Sequence, residues 1–165
     1  MTPKSPPDIT VFDIANWFLA TAKSEGMALK HMKLQKLVYF TYGWYYAIFD
    51  RLLFDEKIHA WRFGPVVKSL YQKFRPFGKH PIKTEVAEIP EFDDDVISVL
   101  RQVWKTYSPS TDLLLSAITH RPESPWRKVY YDYGRWNDAI SPEMIRDYFK
   151  TLMNKYKNER AGSNA

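Results

Sequence analysis

The chain carries four histidines, His31, His59, His80 and His120, all far apart in sequence. His59 follows Asp55 and Glu56, a carboxylate–imidazole grouping of the kind that moves protons. His120, Glu123 and Trp126 make a second cluster, where Thr119-His120 ends one helix and Pro125-Trp126 begins the next. A histidine at a helix C-terminus can meet the exposed carbonyls there, which accounts for this cluster without catalysis. Four scattered imidazoles and no cysteine do not make metal-ligand spacing. The six glycines form neither GxGxxG nor GxxxxGK[ST], and neither HExxH nor GxSxG occurs. No catalytic residue, no metal and no cofactor is therefore expected. The lack of cysteine also removes disulfides and thiolate chemistry, and it suits a reducing, cytoplasmic setting.

Basic residues offer a different chemistry. Lys30, His31, Lys33 and Lys36 stand beside a run of aromatics, a combination seen where single-stranded nucleic acid stacks. The aromatics, however, fall where their helix should be buried, so the lysines read as a solvated face. Net charge is +5, placed unevenly: residues 1–80 hold 12 Lys/Arg against 6 Asp/Glu, and residues 81–165 hold 12 against 13. A basic half can face nucleic acid or an acidic protein surface. The excess is modest, and DNA is expected to bind weakly and without sequence preference at most. The 6 Trp, 11 Tyr and 10 Phe supply anchors for a core or an interface.

The elements that must position these groups are mostly helices. The 165 residues suit one domain, large enough to bury about 70% of the surface its unfolded chain exposes. Residues 1–9 are Pro-rich and read as a flexible lead. Thr10 and Asp13 form a capping-box-like start for a helix ending near Gly26. A second helix runs from about 30 to 49. From Tyr39 onward it is apolar on every side, so it should be central, with Leu37, Trp44 and Tyr45 largely buried. Gly43 within it lets another backbone come close. Residues 58–63 alternate as a short strand, and 81–89 read as an extended partner for it. Pro65 suits the first position of a helix, with Gly64 holding the turn before it. Asp93–Asp95 are carboxylates at a helix start. Ser108-Pro109, Ser124-Pro125 and Ser141-Pro142 open three further helices, and the tail 158–165 is polar and expected to fray. The expected fold is mainly α, a compact helical domain over 10–157 with a small β element. No apolar run reaches the ~20 residues needed to span a bilayer, and no secretory leader is visible.

Three separated segments carry a resemblance. Leu34-Gln35-Lys36-Leu37-Val38-Tyr39-Phe40 with Gly43-Trp44-Tyr45 is the first. The second is Leu53-Phe54-Asp55-Glu56, then Ala60-Trp61-Arg62-Phe63-Gly64-Pro65-Val66-Val67. The third runs from Thr119-His120 to Ser124-Pro125-Trp126. In order and spacing they resemble the signature of the Panacea domain, the SocA-like antitoxin family, which includes phage-associated proteins. Phe63 and Arg62 stand where that family commonly has Tyr and Lys.

The resemblance implies an antitoxin of a toxin–antitoxin system that neutralises a cognate protein toxin, encoded by a neighbouring gene, through direct binding. It also implies an alternative, because a family member acts as a proteolytic adaptor delivering its toxin to the ClpXP protease. A second alternative, a nucleic-acid-binding protein, rests on the basic half. An enzyme built on His59 or His120, with Asp55, Glu56 or Glu123 as partners, lacks any motif. The motif residues Leu34, Gln35, Lys36, Tyr39, Gly43, Trp44, Trp61, Gly64, Pro65, Val66, Thr119, His120, Pro125 and Trp126 are expected to shape the fold or contact the partner.

Overall fold

The computed structural model describes residues 2–85 and 89–163. The described residues form seven α-helices and a small antiparallel sheet: α1 (Val11–Ser24), α2 (His31–Phe49), α3 (Lys68–Phe74), α4 (Asp94–Tyr107), α5 (Asp112–Thr119), α6 (Pro125–Arg127) and α7 (Pro142–Ser163). The sheet has the order β2-β1-β3, with β1 at Ile58–Trp61, β2 at Gly64–Val66 and β3 at Ala139–Ile140. The mainly helical fold with a small β element is the one expected from the residue pattern.

The helix starts follow local chemistry. Thr10 Oγ1 accepts from Asp13 N at 3.1 Å while Asp13 returns a carboxylate to Thr10 N at 2.9 Å, a complete capping box. Asp93 caps α4 through Val96 N, with Asp94 and Asp95 in the first turn complementing the helix dipole. Thr111, not Ser108, caps α5. Ser108 instead closes α4, because its N–H still reaches the Trp104 carbonyl and the chain needs three more residues to turn.

Helix α2 is the axis of the molecule. It packs against α1, α3, α4, α5, α7 and β2. Leu34, Leu37, Val38 and Tyr45 are wholly buried, as a helix apolar on all sides requires. Trp44 departs from this expectation, being half-buried. Its indole N–H must find a partner, and it reaches the Tyr107 hydroxyl at 2.9 Å near the molecular surface. Phe149 of α7 lies directly on Gly43, with its ring edge-on to Trp44 at 5.0 Å and to Tyr39 at 5.6 Å.

Pro65 does not begin a helix. It lies within β2, opposite Ala60, in a hairpin whose two turn residues are Arg62 and Phe63. β2 is an edge strand, where a proline's missing N–H breaks no inner ladder, and α3 starts three residues later. Gly64 adopts φ +126°, a conformation other residues rarely reach. The other partner of β1 is β3, joined through Ala60 N to Asp138 O at 2.9 Å. Of the stretch expected to pair with β1, residues 81–85 and 89 form no strand, and 86–88 lie outside the described residues. Pro81 and Pro90 lack the N–H groups a ladder needs, and Ile82 N bonds to Leu29 O instead, at 2.7 Å.

Lys4 bridges to Phe92, donating to Glu91 O and accepting from Asp93 N, and Ile9 is buried. α7 runs from Pro142 to Ser163, with no strong helix breaker in its last turns before Gly162.

Gly43 yields a direct test of this packing. A Cβ at that position would lie 2.2 Å from Phe149 Cε2 and 2.3 Å from Cδ2, so the buried ring must move. Gly43→Ala should lower stability in urea unfolding by about 1–3 kcal/mol, despite alanine's better helix propensity. Adding Phe149→Leu should recover part of that loss.

Candidate functional site

The three sequence motifs come from distant parts of the chain, and the fold brings them to one place beside α2. Lys36 is the centre. Its ammonium, expected on a solvated face, is 1% exposed. A Cβ on Gly64 would lie 2.7 Å from Lys36 Nζ and 3.1 Å from Thr119 Oγ1. The first motif therefore occupies space that the second leaves open by having a glycine, against a threonine of the third. The neighbouring Lys33 is buried too, and Lys33 Nζ donates to the carbonyls of Ser108 at 2.6 Å and Ser110 at 2.8 Å. These carbonyls close the C-terminal end of α4, where a cation is favourable. The solvated-face expectation fails because α5 and the α4–α5 turn cover that side of α2.

Gln35 ties the same helix to the sheet. Its side-chain amide donates to Val67 O at 3.2 Å and accepts from Val67 N at 3.0 Å, pairing both backbone groups where β2 hands over to α3. Trp126 closes the arrangement from the other side. It is buried, and its indole N–H donates to Trp61 O at 2.6 Å. His120 stacks on it with ring centroids 3.8 Å apart. Ser124 caps α6, accepting from Arg127 N at 3.1 Å and donating to Thr119 O at 2.8 Å. Pro125 and Val66 are buried within this junction. Leu34 belongs to the core, and Tyr39, Gly43 and Trp44 sit farther along α2 against Phe149 and Tyr107. The motif residues thus form two groups, one around Lys36 and one around Phe149.

The electrostatics follow from burial. Burial pushes the Lys36 ammonium down to about 8, and the Asp112 carboxylate offsets this only in part. His31 and His120 are both held below the ordinary imidazole range, first by burial and then by the Lys36 charge. His31 packs against Tyr71 at 5.2 Å between ring centroids. His59 is also lowered by burial. Its Nδ1 faces the Asn137 carbonyl at 3.2 Å, while Glu56 accepts from Ser69 Oγ, so the carboxylate–imidazole grouping suggested by position does not assemble.

Two surface features were not evident from the motifs. An open cavity of about 930 Å³ lies between α2, α4 and α7, lined by Trp44, Tyr107, Tyr148, Phe149, Leu152 and Tyr156 among others. A second cluster of aromatics follows Trp126: Tyr131, Tyr133 and Trp136 stand exposed on the segment between α6 and β3. The density of aromatic residues over 126–136 was the available signal, but no periodicity there defines a face.

The buried lysine generates a pH test. From about pH 8 to pH 10 the unfolded chain holds a proton on this ammonium that the folded chain has released, so stability rises with pH across that window, by up to about 1.4 kcal/mol per unit. Above pH 10 the trend reverses, because Tyr39, Tyr42 and Tyr107 are raised by burial and ionise first in the unfolded chain. Urea unfolding at pH 7, 8, 9 and 10 should show the rise in the parent chain and a shallower rise in Lys36→Met, where Lys33, also lowered by burial, supplies what is left.

Comparison with known proteins bears directly on this convergence of motifs. The family described as antitoxin SocA-like, Panacea domain, matches residues 34–127, from the first motif to one residue past Trp126. The chain is also similar to the antitoxin SocA of Caulobacter vibrioides (strain NA1000 / CB15N), with 26% identity over 161 residues, covering 89% of this chain and 86% of the relative. No solved structure matches. The matched span holds Lys36, Gly64, Thr119 and Trp126, the residues that meet beside α2, and it covers more than half of the chain: the protein belongs to the SocA-like antitoxin family defined by the Panacea domain.

Proposed function

We propose that this protein neutralises a cognate protein toxin by binding it directly and covering the surface through which the toxin acts. The supporting observation is the family match across all three motifs, together with the similarity to an antitoxin along most of the chain. In this reading the motif residues serve mainly as framework. Lys36 and Thr119 lie against Gly64, Gln35 is bonded to Val67 and Trp126 to Trp61 O, so the partner meets side chains carried by that framework. His59 and His120 act in it as packing and hydrogen-bonding groups. The toxin is expected from a gene adjacent to the antitoxin's own, and the protein acts in the cytoplasm. No helix among the described residues is long and apolar enough to cross a membrane.

Co-expression is the test. The product of the adjacent gene should arrest growth alone, and this protein should restore it and co-purify with that product. His59→Ala should retain rescue. Binding by occlusion predicts full rescue in a host lacking ClpXP; rescue lost there while co-purification persists would replace occlusion by delivery to the protease. A harmless neighbour that neither binds nor is neutralised would overturn the toxin reading.

A further inference from the structure

Next to the buried motif junction lies a surface with the composition of a binding hot spot. Phe63, Tyr131, Tyr133 and Trp136 are between 57% and 67% exposed. Tyr131 and Trp136 are joined to the core through rings. Tyr130 stacks on the buried Trp126 at 4.8 Å, Tyr131 meets Trp126 edge-on at 5.6 Å, and Trp136 lies 6.4 Å from Tyr130. The hairpin turn bearing Phe63 is fixed to the same indole, because Trp126 donates to Trp61 O. Guanidinium groups cover this surface: Arg127 lies 4.6 Å over the Tyr131 ring and Arg62 5.3 Å over Phe63.

The backbone holding these side chains is unusual. Lys128–Asp132 is a π-helical turn, a geometry frequent at functional sites. Tyr133 N to Lys128 O at 2.8 Å and Arg135 N to Val129 O at 2.9 Å close it. Rings already seated on Trp126 have little rotamer freedom left to lose when a partner arrives.

We infer that Tyr131, Tyr133, Trp136 and Phe63, with Arg62, Arg127 and Arg135, form the docking surface for a carboxylate-rich face of a partner protein; resting on the function proposed above, that partner is the toxin. Charge selects this occupant. Arg62, Arg127, Lys128 and Arg135 outnumber Asp132 and Asp138 on the hairpin turn and the 127–138 segment that carry the patch, so an acidic face is complementary. A second copy docking through a two-fold axis would set the same cations against themselves. Nucleic acid would bring phosphates onto the two interspersed carboxylates, whereas Tyr, Trp and Arg mixed with a few carboxylates is the usual make-up of a protein interface. The surface aromatics at 131–136 lie beyond the family-matched span, which ends at 127, while the tryptophan they rest on lies within it.

The test uses the full chain and the product of the adjacent gene, co-expressed for rescue and titrated as purified proteins. Tyr131→Ala combined with Trp136→Ala should keep the parent's melting curve and circular dichroism yet weaken binding at least about 100-fold, since hot-spot truncations commonly cost tens-fold each. Arg135→Glu with Arg62→Glu should slow association at least about tenfold at low salt and flatten its salt dependence. Met153→Ala with Tyr156→Ala, in the α2–α4–α7 cavity, should leave binding within about threefold of the parent. Patch variants that fold, bind and rescue like the parent while the cavity variants fail would overturn the assignment and leave the toxin reading intact. So would patch variants that alter only self-association or binding to a single-stranded oligonucleotide. A parent chain that neither binds nor rescues would overturn both.

Discussion

Helix α2 is packed by other elements over most of its surface, and that condition sets the rest of the structure. A helix with so little solvent face cannot keep all its polar side chains in water, so those on its covered sides call for partners inside. Gln35 is answered by both backbone groups of Val67, Lys33 by two carbonyls at the end of α4, and Thr41 by Leu37 O at 2.8 Å. Lys36 is the costliest, because a buried ammonium loses its hydration, and Asp112 compensates only in part. The glycine at 64 follows from the same demand: any side chain there would occupy the position of the ammonium. The chain thereby couples a residue of α2 to a hairpin and to the end of α5.

This coupling gives the family motifs a physical meaning. They are three surfaces of one junction, with Lys36 and Thr119 both placed against Gly64 and Trp126 bonded to the hairpin carbonyl. None of the histidines in or near it is set against a carboxylate as a proton-transfer pair would be. His120 is engaged by an aromatic stack, His31 by Tyr71 and His59 by a backbone carbonyl. A rigid junction of this kind suits a protein whose task is to hold a surface in shape. The membership in an antitoxin family agrees with that use of structure.

The junction also separates support from contact. Trp126 faces inward on one side and carries Tyr130 and Tyr131 on the other. Because the rings outside it are seated on a fixed indole, the exposed aromatic surface is rigid without being buried. Exposed rings cost little in a folded monomer, but their clustering beside arginines concentrates the groups that dominate protein interfaces. The cavity between α2, α4 and α7 is lined mostly by apolar side chains, with Arg121, Lys157, Glu159 and Arg160 among them.

Much was legible in the residues alone. The capping box at Thr10 and Asp13, the span of α2, the acidic start of α4 and the proline-led starts of α6 and α7 are local events, decided by side chains within a few positions of each backbone group they satisfy. The motif resemblance was legible too, since order and spacing survive without coordinates. What local pattern could not decide was which face of a helix another element would cover. Lys33 and Lys36 have the look of a solvated stripe, and α5 turns it into interior. Pro65 has the chemistry of a helix start, and the pairing of β1 makes it an edge-strand residue. Trp44 belongs to an all-round apolar run, and its indole N–H draws it to Tyr107 at the margin. The lysines and Trp44 depend on partners far along the chain, with separations of 75 for Lys33 and 63 for Trp44, and the free energy that settles them arises only when distant segments exclude water together. The composition supplied the aromatics and cations; tertiary packing alone decided which of them face outward.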